Sequence, residues 1–246
     1  MTSTQMISQT IKKIPENELF FASKLYAQEF GGDITESAYY KTLERLCKAG
    51  ELCKIAKGTY YRPKASRYGI VPPSQKEIVE AFTRDGKGTV VGYSLYNSLK
   101  LTTQVSKTVE VFSSALEQQT KNISNVALRF CDLVYTPEVN GMVHMMEVLQ
   151  NFGEIQELNY AQFLNFCEHF SRTYSDEVFE RVCRQRRYQK KSIAFLQNIL
   201  THYQVPNNLN RYLSTLSDYK HPTMEEIYEA ARISRRISGA DYHCSQ

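Results

Sequence analysis

Residues that interrupt regular structure recur through the first sixty positions, at Pro15, Gly31-Gly32, Gly50 and Gly58. They leave room only for helices of a few turns and for very short strands. An amphipathic helix is predicted over residues 6–14, stopped by Pro15. A second is predicted over 18–30, where Gly31-Gly32 supplies the left-handed conformation that closes helices. A third starts after Asp33-Ile34, capped by Thr35 or Ser37, and runs to about residue 49, with Gly50 as its terminating residue. Residues 52–55 and 59–62 read as two strands joined through Ala56-Lys57-Gly58, a hairpin with a glycine turn.

The third helix has two distinct faces. Tyr39, Leu43, Leu46 and Cys47 recur at helical spacing and are expected to pack on the first two helices. The opposite face carries Ser37, Ala38, Lys41, Glu44, Arg45 and Lys48, with Tyr40 at its border. This small, polar and mostly cationic surface suits the major groove of DNA. Taken alone, the same face is accounted for by solvation, with Glu44 paired to Lys41 or Lys48 one turn away. The hairpin that follows changes the balance, because Lys54, Lys57, Arg62, Lys64 and Arg67 place cations along it and Tyr60 or Tyr61 offers a hydroxyl to phosphate oxygens. Three helices and a basic hairpin, in that order, predict a winged helix-turn-helix in residues 1–67. Its DNA-binding residues are expected to be Thr35, Ser37, Tyr40, Lys41, Arg45, Lys48, Lys54, Lys57, Tyr60, Arg62 and Lys64.

Charge is distributed to match. The chain of 246 residues has a formal net charge of +4, and residues 1–67 hold 11 Lys and Arg against 7 Asp and Glu, so the whole excess lies in that segment.

A linker is predicted over 66–73, because Pro72-Pro73 holds an extended backbone. Ser74 is then expected to cap a helix over 75–83. A short strand over 89–91, a helix over 94–101 and strands over 108–113 and 125–131 follow, giving a small α/β layer. Beyond Pro137 the periodicity is helical, with one face of Met142, Val143, Met146 and Leu149 and another of Phe163, Phe166, Cys167 and Phe170. Further helices are predicted over 176–187, 192–203, 208–216 and 223–237. The fold expected is therefore α+β: an N-terminal winged helix-turn-helix, then a unit over 68–246 made of an α/β layer and a helical region. The cluster Arg181, Arg184, Arg186, Arg187, Lys190 and Lys191 suits an acidic partner or nucleic acid, but the balanced charge of that unit favours a solvated face.

Two stretches carry a family resemblance. Leu43-Glu44-Arg45-Leu46, Lys48-Ala49-Gly50-Glu51-Leu52 and Gly58-Thr59-Tyr60-Tyr61 resemble the N-terminal domain of abortive-infection type E (AbiEi) antitoxins. The run from Gly92-Tyr93-Ser94-Leu95-Tyr96-Asn97 to Gln104-Val105, with the strand after it, resembles the central part of the same family. At Lys100 the chain departs from the glycine frequent among those proteins. The resemblance covers roughly residues 10–135. It implies a transcriptional regulator that binds inverted repeats in its own promoter as double-stranded DNA, and a C-terminal region that opposes a nucleotidyltransferase-like toxin.

Other function classes find less support. A winged-helix repressor with a ligand- or partner-sensing C-terminal domain, unrelated to a toxin, remains the alternative. A nuclease would need clustered carboxylates and a lysine two residues after one of them on a strand; the triplets Asp85 to Lys87 and Asp218 to Lys220 fall in expected loops. No Walker A, Gly-x-Ser-x-Gly or His-Glu-x-x-His motif occurs, so no catalysis and no cofactor are expected. Six cysteines without a Cys-x-x-Cys pair point to a reducing cytoplasm. Cys167 with His169, or His243 with Cys244, lacks the second pair that a zinc site needs, so no metal is expected. No apolar run approaches the roughly 20 residues of a membrane helix, and the first ten positions carry no secretion signal, which predicts a cytoplasmic protein away from membranes.

Overall fold

The computed structural model describes residues 2–67, 69–116 and 119–240, and shows a mixed α+β protein. Helix α1 (Ser3–Lys13) starts at a capping box, in which Thr2 Oγ1 accepts from the Gln5 amide at 3.3 Å and the Thr2 amide donates to Gln5 Oε1 at 2.9 Å. Ile7 and Ile11, one turn apart, are its buried face.

The predicted second helix begins four residues late. Leu19–Phe21 is a strand, β1, and helix α2 is Ala22–Glu29. Three consecutive large apolar groups explain this, since a strand sends neighbours to opposite faces and both faces of β1 are covered. Phe20 stacks on Tyr60 at 6.0 Å within the core of the first three helices, while Leu19 and Phe21 face a different core, where Phe21 meets Phe82 edge-on at 5.2 Å.

Helix α3 (Glu36–Lys48) is capped by Thr35, whose hydroxyl accepts from the Ala38 amide. Tyr39, Leu43 and Leu46 are buried as the periodicity requires, and Cys47 is half-buried. Strands β2 (Cys53–Ala56) and β3 (Thr59–Tyr61) complete an antiparallel sheet in the order β1-β3-β2. Gly58 takes a φ of 69° in the turn between them.

The expected linker over 66–73 is instead a second hairpin, β4 (Lys64–Ser66) with β5 (Gly69–Val71). Ser66 Oγ donates to the Gly69 carbonyl at 2.9 Å across it, and Pro72 ends it. The expected division between residues 67 and 68 thus falls between two paired strands.

Helix α4 (Gln75–Thr83) has the predicted bounds, with Ser74 and Glu77 forming a capping box. The sheet beside it runs β6 (Gly88–Val91), β7 (Val109–Ser113), β9 (Val126–Phe130), β8 (Thr120–Ile123), with β7 and β9 parallel and the other pairs antiparallel. Strand β8, Thr-Lys-Asn-Ile, is an edge strand whose polar composition hides it from pattern reading. Helix α5 (Gly92–Ser98) starts and ends earlier than predicted, and Lys100 beyond it takes a φ of 59°, in the left-handed region that favours glycine.

The remaining helices are α6 (Pro137–Gln150), α7 (Tyr160–Ser171), α8 (Asp176–Gln185), α9 (Lys190–His202) and α10 (Met224–Ala240). Helix α6 is buried almost all round, not along the single face expected. Met145 and Val148 are buried as well as Met142, Val143, Met146 and Leu149, because α5, α7, α8 and α9 surround it. Where a helix over 208–216 was predicted, only the 3-10 turn Leu209–Tyr212 forms. The Asp176 carboxylate takes the amide and side chain of Asn208, at 3.2 and 2.8 Å, fixing the chain in an open bend.

Two stability predictions follow from local conformation. Left-handed φ at a lysine costs about 1–2 kcal/mol, part of which glycine returns as lost chain entropy. Lys100→Gly is therefore expected to stabilise the fold by up to about 1 kcal/mol and to raise Tm by about 2–4 °C; a lower Tm would refute the account. Burial pushes the pKa of His144 down from 6.5 to about 4, with its Nε2 2.7 Å from Thr89 Oγ1. The unfolded chain then takes the proton first, so this contribution is intact above pH 6.5 and is lost as pH falls toward 4. His144→Gln should abolish about 2–3 kcal/mol of the stability lost between pH 7 and 4.5, measured by urea denaturation at both.

Candidate nucleic-acid interface

The solvent face of α3 is as the spacing predicts: Ser37, Lys41, Glu44, Arg45 and Lys48 are exposed, with Ala38 and Tyr40 half-buried along its margin. Thr35 is exposed at the N-terminal end, where its hydroxyl serves the cap. The pairing of Glu44 with Lys41 or Lys48 does not form. Among the described residues none of Lys41, Glu44, Arg45, Lys48 and Lys54 enters an ion pair. Lys54 on β2 is exposed, pairs in register with Tyr60 and acts on the thiol of Cys47, which lies on the inward side of α3. That thiol is pushed up chiefly by burial, then by Cys53, so it stays protonated near neutral pH.

The other expected contacts divide. Tyr60 is buried against Phe20, and its hydroxyl is pushed up by that burial, so it supports the sheet and does not face solvent. Arg62 turns inward as well. Its Nη1 donates to the carbonyls of Lys12 at 2.9 Å and Ile14 at 2.6 Å, closing the C-terminal end of α1 where a cation is favoured. Lys57 is exposed at the β2–β3 turn, but the turn itself is held. Lys121 Nζ of β8 donates to the Lys57 carbonyl at 2.8 Å and to Thr59 Oγ1 at 2.6 Å. Lys64 is exposed on the β4–β5 hairpin and lowers the pKa of Glu77 at the start of α4, so it sits apart from Lys41 and Arg45.

Elsewhere, several arginines are paired with carboxylates, while Arg187, Lys190 and Lys191 are exposed and in no ion pair among the described residues. In the C-terminal basic cluster Arg181 pairs with Glu177, Arg184 with Glu180, and Arg186 with Glu147 at 2.8 Å, beside a further pair of Arg211 with Glu180. Arg186 also lies over the Phe112 ring at 4.1 Å. A polar cleft of about 390 Å³ lies here, between the sheet and α6. It is lined by Glu110, Arg129, Glu147 and Arg186, whose charges are matched in pairs within the protein. Cys167 is fully buried whereas His169 is exposed, so they do not converge, and His243 and Cys244 lie outside the described residues. Among the described residues no group of three His, Cys, Asp or Glu side chains is arranged to hold a metal, and no helix is long and apolar enough to cross a membrane.

Residues 6–130 match a family of unknown function, DUF6088, and the chain belongs to that family. No curated protein matches it. The matched segment runs from α1 to the end of β9, so it takes the first three helices and the α/β layer together.

Arg62 is thus a scaffold residue. Replacing it with alanine leaves two helix-terminal carbonyls without their charged donor and should cost about 1.5–3 kcal/mol in urea denaturation. Unchanged stability with weakened nucleic-acid binding would return it to the interface.

Proposed function

We propose that residues 3–61 form a winged helix-turn-helix and that the protein is a DNA-binding autorepressor that also acts as the antitoxin of a toxin-antitoxin pair. The observation that carries this reading is the solvent face of α3, where among the described residues Lys41, Arg45 and Lys48 enter no ion pair, whereas Arg181, Arg184 and Arg186 each pair with a carboxylate. The chain order helix, strand, helix, helix, strand, strand and the sheet order β1-β3-β2 support it, because they make α3 the second helix of a helix-turn-helix. On this reading Lys41, Arg45, Lys48 and Lys54 supply salt-dependent attraction to phosphates, and Ser37, Tyr40, Lys41 and Arg45 reach base edges in the major groove. The antitoxin half of the proposal, including a nucleotidyltransferase-like toxin as partner of the C-terminal region, rests on the resemblance of residues 92–113.

The test is a gel shift on the DNA upstream of the gene, at several salt concentrations. Lys41→Ala/Arg45→Ala should lose specific binding while keeping the parent's Tm, since both side chains are exposed. Co-expressed with the product of an adjoining toxin gene, the same variant should still neutralise it. Retention of the specific shift would remove α3 from the reading.

A further inference from the structure

The hairpin that a winged helix ordinarily extends along DNA is here short and tied down. Its turn consists of Lys57 and Gly58, its carbonyl and the Thr59 hydroxyl are taken by Lys121, and Thr59 is buried. The β4–β5 hairpin directly after it is the reverse case. It is a two-stranded sheet paired with no other strand, and Lys64, Ser66, Arg67, Gly69, Ile70 and Val71 are all exposed. Residues 64–71 carry two cations and no acid. Ile70 lines a groove with Leu46, Gly50 and Glu51 at the C-terminal end of α3 and with Lys12 of α1, so the hairpin stands beside the end of the helix that carries Arg45 and Lys48.

We propose that the β4–β5 hairpin is a second nucleic-acid contact, a ribbon that lies on the phosphate backbone next to the stretch read by α3, with Lys64 and Arg67 as its phosphate ligands. Three observations argue for it together. A two-stranded ribbon has the dimensions to follow a DNA groove. The charge of this one is complementary to a polyanion, and of the acids near it Glu77 is engaged in capping α4 through Ser74 and Glu51 is paired with Lys12 at 3.6 Å. Ile70 and Val71, 56% and 42% exposed, leave apolar surface uncovered on the strand that pairs with the one carrying Lys64. Because neither cation is placed to read bases, the ribbon contributes affinity without sequence preference, and so complements α3. This inference rests on the DNA-binding reading above.

Its test uses the full chain, titrated by fluorescence anisotropy against the upstream duplex and an unrelated duplex across a range of salt concentrations. For Lys64→Ala/Arg67→Ala, counterion release predicts that the slope of log K against log salt flattens by about 1.8, and that affinity falls roughly ten- to thirtyfold for both duplexes alike at 0.15 M salt. Lys64→Arg/Arg67→Lys, which keeps both charges, should restore the parent slope. By contrast, Lys41→Ala/Arg45→Ala should erase the difference between the duplexes. An unchanged slope in the hairpin variant, with the α3 variant impaired, overturns the ribbon alone. The same result with a lower molecular mass than the parent's in sedimentation also overturns it, and makes the hairpin a contact between copies of the chain. Failure of the parent chain to bind either duplex overturns the ribbon and the DNA-binding reading together.

Discussion

Strand β1 buries its two faces in two different cores, and the rest of the structure is arranged around that fact. Phe20 belongs with Ile7, Tyr39, Leu43 and Tyr60, whereas Leu19 and Phe21 pack with Ile78, Phe82 and the β7–β9 sheet. Burial of each such side chain contributes about 1.5–3 kcal/mol, so three of them amount to a large part of the 5–15 kcal/mol by which a domain is stable. The first three helices and the α/β layer are therefore energetically one body. Lys24 Nζ, donating to the Ala115 carbonyl at 2.9 Å, and Lys121, gripping the β2–β3 turn, add polar ties across the same seam. The family match, running from residue 6 to 130, covers both sides of that seam.

The seam also decides which cations are available for recognition. In the N-terminal segment Lys24 and Arg62 are consumed by backbone carbonyls and Arg84, just beyond it, by Glu18 at 3.5 Å. Lys41, Arg45 and Lys48 are exposed together on one helix face, and Lys13, Lys54, Lys57 and Lys64 are exposed elsewhere in the segment.

Much of this was legible in advance where a single element carries its own signal. Helix α3 and its two faces followed from the spacing of Tyr39, Leu43 and Leu46 and from Thr35 and Gly50 at its ends; α4 followed from Ser74 as its cap after Pro72-Pro73. Elements that depend on a partner were not legible. Leu19-Phe20-Phe21 reads as helix until both cores that enclose it are known. Residues 66–73 read as a linker because Pro72-Pro73 holds an extended backbone, although the spacing of Ser66 and Gly69 before Ile70-Val71 was a usable hairpin signal. Strand β8 shows almost no apolar pattern, since its pairing with β9 is made by the backbone.

The candidate site divides along the same line. The sequence by itself determined that α3 exposes a cationic face, because a helix of fixed period with one apolar stripe must turn the remaining positions to solvent. It also determined that the N-terminal segment holds the net positive charge. Only the tertiary structure decided that Tyr60 and Arg62 serve the scaffold, that the β2–β3 turn is held by a lysine 64 residues away from Lys57, and that a second, exposed hairpin follows it. The physical reason is range. Helical periodicity and capping act within a few residues, whereas the direction a tyrosine ring or a guanidinium takes is set by whichever apolar surface or unpaired carbonyl the fold brings near it, and those lie far along the chain.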